Sequence, residues 1–435
     1  MSDATSGATS PNTHLMVPIF IFSILLSAAA LRGPDLISSN GLGSAIIVAA
    51  PLILATYALT IIVMAGRAAV DLSIGPLLGF INVGMIQLQT MGYIESPVAF
   101  FLYALGVGVA YQLALGLIII FVRVQPIIVS LSGYLALVGL NLIILPRPGG
   151  VAPDWMLSWG SGTSIFSPVL AILVIATAAW YLLSRTAFFG HLRLMGSDER
   201  AAYTSGVRIN LVRLGAHAIA GLYAGLAAIC FTSLISSGDP TQGTTFTLLA
   251  VTALVLGGAN LAGGRGGAIG SLFGAMNIYL ITFLLGTFNF SIFQSFVTDL
   301  SYGSILVLSL LISLALPQIQ RAAHYMPPGR FIGVLGCIAG GVILHAVMDI
   351  STLPEPLDAA VTLTAEQLGP IDGAPLEPTG TLILLVILGI AALIYLVNLL
   401  FKYPRPPFVA LLVMMIVIIF GLIFNADPVA LTQGS

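Results

Sequence analysis

Long apolar runs alternate with short polar interruptions along the chain. The runs fall at roughly 15–31, 44–65, 72–91, 98–121, 126–145, 165–184, 211–235, 246–262, 268–287, 297–317, 331–350, 380–401 and 407–424. Most are close to the ~20 residues a helix needs to cross a hydrocarbon core of about 30 Å. No water reaches the backbone there, so only helices or a closed barrel can span it. Barrel strands alternate apolar and polar positions over about 10 residues, whereas these runs are continuous. The pattern predicts an all-α polytopic membrane protein. Gly, Pro and Asn interrupt the runs at 72–91 and 126–145, making each a candidate discontinuous helix.

Composition strengthens this reading. Of 435 residues, 58% are hydrophobic and 7% charged, with a mean hydropathy of +1.08. That is too little charge to cover a soluble domain of this length. The first 14 residues carry no Lys or Arg and so lack the basic start of a secretory signal. The first apolar run therefore reads as a retained span. Cys230 and Cys337 both lie in apolar runs, which points to neither a disulfide framework nor a metal site.

The basic residues set an orientation. With residues 1–14 in the cytoplasm, Arg67, Arg123, Arg185, Arg193, Arg200, Arg208, Arg213, Arg265, Arg321, Arg330, Lys402 and Arg405 fall inside, and only Arg32 and Arg147 fall outside. Twelve against two is a strong positive-inside bias. The acidic segment 351–379 then lies outside, with Glu355, Asp358, Glu366, Asp372 and Glu377 and no basic residue. The domain reading is a tail at 1–14, a ten-helix core at 15–317 with a polar loop at 185–213, and an extension at 318–435 with three further spans.

One polar island stands out in that loop. The stretch MGSDERAAYTSGVR, 195–208, holds Asp198, Glu199, Arg200 and Arg208. Ser197 is a candidate N-cap, with Asp198 and Glu199 in the first turn where the helix dipole favours negative charge. Ala201 and Ala202 favour helix, and Gly206 is a natural stop. About two turns of helix do not hold alone in water. The segment must lean on the ends of the spans or on a partner, and the small Ala201, Ala202 and Ser205 permit close approach. An ordinary positive-inside loop would account for the same residues.

Elsewhere, Asp71 follows Arg67 by four residues. A carboxylate at membrane depth is a functional candidate, with a helix cap or an ion pair to Arg67 as the structural alternative. Gly266, Gly270 and Gly274, spaced by four, would line one helix face for close packing. The stretches MAGRAAVDLSIGPLLG (64–79) and LAGGRGGAIGSLFG (261–274) share a rhythm of Ala-Gly, Arg and Ile-Gly. Asn82, Gln87, Gln112, Asn141, His217, Asn277, Gln294 and Asn398 sit within runs and read mainly as interhelical hydrogen bonders. Asn82, Asn141 and Asn277 are weak candidates for a substrate pathway, and His217 reads as interfacial. No HExxH, Ser-His-Asp or paired-carboxylate set points to an enzyme or a metal site. With no GxxxxGK[ST] and a single lysine, Lys402, the chain offers no ATP site. No nucleic-acid partner is expected.

The segment FGHLRLMGSDERAAYTSGVRINLVRLGAHAIAGLYAGLAA resembles the region around the coupling loop of ribose-type sugar permeases of bacterial ABC importers. Gly196, Ala201, Ala202, Ser205, Gly206 and Val207 carry that likeness. The segment SSGDPTQGTTFTLLAVTALVLGGANLAGGRGGAIGSLFGA resembles the family's next block, through Pro240, Thr241, Gly243, Leu256, Gly257, Gly258, Leu261, Ala262, Gly263, Gly264, Gly266, Gly270 and Gly274. VDLSIG, with Asp71, Ser73 and Gly75, and VQPIIVSLSGYLALVGL resemble two upstream signatures, so four motifs occur in order over 36–316.

The resemblance implies a non-enzymatic subunit that moves a monosaccharide by alternating access. ATP would be hydrolysed on separate ATPase subunits, whose closure reaches the spans through residues 196–207. A second permease chain and a substrate-binding protein outside would complete the assembly. Nucleoside, autoinducer and branched-chain amino acid permeases are related alternatives; an ion-coupled carrier and a membrane scaffold are alternatives of other classes. Two departures stand out. The family's acidic residue after the Pro-Thr motif is absent from TFTLLAVTA, and the chain continues about 115 residues past Leu316, where relatives usually end.

Overall fold

The computed structural model describes residues 15–287 apart from Ala68 and Thr163, and all of these belong to one compact unit of the chain. The tail at 1–14, the runs from 297 onward, Cys337 and the acidic segment 351–379 lie outside the described residues. Within the described residues, twelve α-helices form in chain order: α1 Met16–Arg32, α2 Ser39–Met64, α3 Ile74–Thr90, α4 Pro97–Phe121, α5 Pro126–Ile144, α6 Asp154–Gly160, α7 Pro168–Leu183, α8 Ala187–Ser197, α9 Glu199–Thr204, α10 Ile209–Ile235, α11 Gly243–Leu256 and α12 Ala268–Gly286. Among the described residues no strand forms.

Every apolar run within the described residues overlaps one of these helices over most of its length. Five of them, α2, α4, α5, α10 and α12, are long and apolar enough to cross a membrane. Helices α7 and α8 pass that test only together and are bent by 75° at the break between them. The runs at 72–91 and 126–145 each form a single continuous helix, so neither is discontinuous. The interruption lies just upstream of the first: residues 65–67 and 69–73 are non-helical, and Asp71 and Ser73 among them are buried.

Local chemistry sets the helix starts. The Ser38 hydroxyl accepts from Gly41 N at 3.0 Å, and the Ser96 hydroxyl from Ala99 N at 3.3 Å. Proline occupies the first position of α4, α5 and α7, where its missing N–H costs nothing and its φ is already helical.

Helix α2 is the hub, buried at every residue from Ala49 to Met64. A helix apolar on all sides belongs inside a bundle. Around it, α4 and α10 cross through small residues: a Cβ added at Gly225 would come within 3.0 Å of Leu105 Cα. Such crossings bring backbones together where side-chain hydrophobicity offers no gain over lipid. Tyr57, Trp180 and Tyr223 cluster between α2, α7 and α10 in tilted and edge-on contacts, with ring centroids 5.2–5.7 Å apart. At one end, Gly149 and Gly238 exchange backbone hydrogen bonds at 3.0 Å. The other end carries the polar island.

Candidate functional site

The island is built on a corner. Beyond the bend, α8 buries Phe189, Leu192 and Met195, three residues apart on one face. Its C-terminus is Ser197, whose hydroxyl donates to Arg193 O at 2.9 Å. Ser197 therefore closes α8 and does not cap the next helix. The cap is Asp198, which accepts from Arg200 N at 2.9 Å and Ala201 N at 3.0 Å. A carboxylate suits this position because it both bonds the free amides and faces the positive end of the helix dipole. Helix α9 runs six residues to Thr204, and Gly206, with φ of +84°, turns the chain just beyond it, the stop its sequence predicts.

Backbone-to-backbone packing fixes the corner. A Cβ at Gly66, in the α2–α3 loop, would lie 2.9 Å from Gly196 Cα. A Cβ at Gly264, in the α11–α12 loop, would lie 2.9 Å from Ser197 N. Gly263 also abuts Gly66 and Gly196, and Gly264 N donates to Met64 O at 3.2 Å. Gly264 has φ of +73°, a conformation that disfavours any side chain. The two stretches that share a sequence rhythm thus meet at one point, with Gly196 between them.

Charge adds a second tie. Glu199 accepts from Arg67 Nε and Nη2, each at 2.6 Å, and from Arg213 Nη2 at 3.1 Å. Arg67 is half-exposed and sits at φ of 60°, while the Arg213 side chain is 7% exposed. Arg67 is thus paired with Glu199 and not with Asp71.

The corner divides the island residues. Ala202 is fully buried and Val207 is buried, both against the chain itself. Gly196, Glu199 and Ala201 are half-buried, whereas Ser197, Asp198, Arg200, Ser205 and Gly206 are exposed. Tyr203, which motif reasoning passed over, is 74% exposed at the tip. Phe188, His191, Gly206, Val207, Arg208 and Leu211 line a recess between α8 and the start of α10.

Asp71 is buried. Its Oδ1 accepts from Ser73 N at 2.8 Å and from the Ser73 hydroxyl; its Oδ2 accepts from Gln112 Nε2. The other end of Gln112 faces His217 Nδ1 at 2.9 Å. His217 is therefore buried among α4 and α10 and is not interfacial. Gly75 N donates to Thr247 Oγ1 at 3.1 Å, where α3 meets α11.

The remaining glycines serve contacts between helices. Gly257 closes α11 and abuts Gly270, and Gly274 abuts Ala253, so α12 lies directly on α11. Gly258 turns the chain after α11 with φ of +80°. Gly266 precedes α12 and faces Thr60 and Met64 of α2, so it does not share a helix face with Gly270 and Gly274.

All three candidate pathway asparagines have partners in the chain. Asn82 donates to Thr232 Oγ1 and Ser237 O and accepts from Asp239 N at 2.8 Å. Asn141 donates to Pro76 O at 3.1 Å and Asn277 to Pro18 O at 3.0 Å.

Comparison with known proteins gives a consistent likeness. The family described as "Branched-chain amino acid transport system / permease component" matches residues 41–315. The ribose import permease of Escherichia coli (strain K12) is 28% identical over 260 residues, covering 58% of this chain and 80% of that protein. The ribose import permease of Bacillus subtilis (strain 168) is 29% identical over 241 residues, 54% of this chain and 71% of that protein. The fructose import permease of Rhizobium meliloti is 28% identical over 234 residues, 51% and 65% respectively. No solved structure matches the chain.

Proposed function

The chain belongs to the branched-chain amino acid transport system permease family, matched over 41–315, and from that premise we propose that it is the membrane-spanning subunit of an ABC importer for a monosaccharide. It sits in the bacterial inner membrane with its N-terminus in the cytoplasm. Its transport core has ten membrane helices, and the C-terminal extension adds three. A second permease chain pairs with it, a substrate-binding protein docks outside, and two ATPase subunits bind below. ATP acts only on those subunits.

The observation that carries this reading is the α8–α9 corner. Its outer face, Asp198, Arg200, Tyr203 and Ser205, is open to a partner. Its inner face is tied to the α2–α3 and α11–α12 loops by glycine contacts and by Glu199. A partner pushing on α9 would move those loops with it, because close-packed backbones transmit displacement with little compression. ATPase closure would then switch the pathway between the two sides of the membrane. Similarity to ribose and fructose import permeases favours a sugar. A branched-chain amino acid is the second reading, favoured by the family's own description.

The test is purification from the native membrane, identification of a co-purifying ATPase, and uptake into proteoliposomes of labelled ribose, fructose and leucine with and without ATP. Sugar accumulation that requires ATP and the ATPase is expected. Accumulation by the pure chain without nucleotide, or labelling of Arg200 from the outer face, would overturn the reading.

A further inference from the structure

Buried polar residues of α4, α10 and the start of α3 form a hydrogen-bonded relay from His217 to Ser73, and α10 itself joins that relay to Arg213. On α10, Arg213 bonds Glu199 of α9, and one turn on, at four-residue spacing, His217 faces Gln112 of α4. Gln112 in turn donates to Asp71, which holds the amide and hydroxyl of Ser73 just ahead of α3. Asp71, Ser73, Gln112, Arg213 and His217 are all buried.

The donor pattern of the inner links follows from one carboxylate. A carboxylate only accepts, so Gln112 must turn its NH2 toward Asp71. Its Oε1 is then left for His217, whose Nδ1 must carry the hydrogen. No amide flip at Gln112 satisfies both neighbours otherwise. In a buried setting a half-made network is worse than none, which favours a whole arrangement or a broken one over intermediates.

We propose that Gln112 is a positioning residue for transport: it ties α10 to the start of α3, so that displacement of α9, received through Glu199 and Arg213, sets where α3 begins. The start of α3 is itself bonded to α11 through Gly75 and Thr247, so the relay reaches a second helix. This proposal rests on the importer reading above.

Exchange of donors and acceptors tests it. Gln112→Glu sets two carboxylates against each other and breaks the relay. Asp71→Asn combined with Gln112→Glu restores it: the new amide at position 71 still accepts from Ser73 and now donates to position 112, which still accepts from His217. The readout is solute moved per ATP hydrolysed in proteoliposomes containing the whole complex, alongside membrane yield. Gln112→Glu is expected to lower that ratio about tenfold, and the exchanged pair to return it to within about twofold of wild type. A wild-type ratio in Gln112→Glu would overturn the relay. So would an exchanged pair no better than Gln112→Glu, in yield or in ratio. If Gln112→Glu never reaches the membrane, the exchanged pair is judged alone, a wild-type ratio supporting the relay and a tenfold loss overturning it. Absence of ATP-driven uptake by the wild-type complex is a different result: it would sink the importer reading, and the relay with it.

Discussion

Gly196 meets the carbonyl oxygen of Met64 with no side chain between them, and a single methyl added at Gly196 would overlap that oxygen. Neither side has a flexible atom to move aside. Gly196→Ala should therefore destabilise the folded chain by about 1–3 kcal/mol, as overpacking does. Gly190, on the same helix, faces open space. Gly190→Ala should be neutral or stabilising by up to about 1 kcal/mol, since alanine is the better helix former. Thermal unfolding of the two purified variants checks the contrast. Equal midpoints would remove the case for a tight corner.

Glu199 bridges two arginines of unequal burial. Arg67 is 52% exposed and Arg213 is 7% exposed. Removing Arg67 should cost little, about 0.2–1 kcal/mol, and less at high salt. Glu199→Ala should cost about 2–3 kcal/mol, near the lower end for breaking a buried pair because Glu199 itself is partly open, and it leaves the Arg213 guanidinium uncompensated. A double-mutant cycle on each pair, read by chemical or thermal unfolding, should give the larger coupling for Arg213. The reverse order would contradict the burial argument.

Ala202 and Tyr203 are neighbours with opposite surroundings. Ala202→Glu forces a charge into a fully buried position and should prevent folding or assembly. Tyr203→Ala should leave stability within about 0.5 kcal/mol. If α9 docks on an ATPase, Tyr203→Ala should weaken that association by about 2 kcal/mol, since exposed aromatics often anchor interfaces. Affinity measured between the variant and the separate ATPase decides the matter. Unchanged binding would move the contact away from the α9 tip.

Asn82 separates two roles. It joins α3 to α10 through Thr232 and to the loop before α11 through Ser237 and Asp239. Asn82→Ala leaves the Asp239 amide without its partner and should cost about 1–3 kcal/mol of stability. If its role is structural only, the folded fraction should retain the wild-type KM for solute. A raised KM with wild-type stability would instead return Asn82 to the transport pathway.

Much of the helical order was legible because a bilayer demands long apolar segments, and nine of them surface plainly in residues 15–287. Helix α8 was not. Its buried Phe189, Leu192 and Met195 are interleaved with His191 and Arg193, so the stretch reads as part of a charged loop. The period of three was the available signal. The cap of α9 lay one residue from expectation, because Ser197 and Asp198 are both good caps and only backbone geometry chooses between them.

The pairings of the site were less accessible. Arg67 has Asp71 four residues away, yet its partner is Glu199, 132 positions on. Asp71 turns inward because residues 69–73 leave the helical path, and a helical count from Arg67 misplaces it. His217 looked interfacial because it lies two turns into α10, where depth alone does not tell lipid from protein. The repeated Ala-Gly and Arg rhythm of 64–79 and 261–274 did carry the junction, but only contact with Gly196 gave the two stretches a common purpose.

The meeting of Gly66, Gly196 and Gly264 has a practical corollary for building hybrids. A transplant of residues 187–208 from a relative would bring its own main-chain path against foreign turns, with no side chain free to repack. Such a graft should succeed only as a three-piece cassette, carrying 63–67 and 262–266 from the same donor.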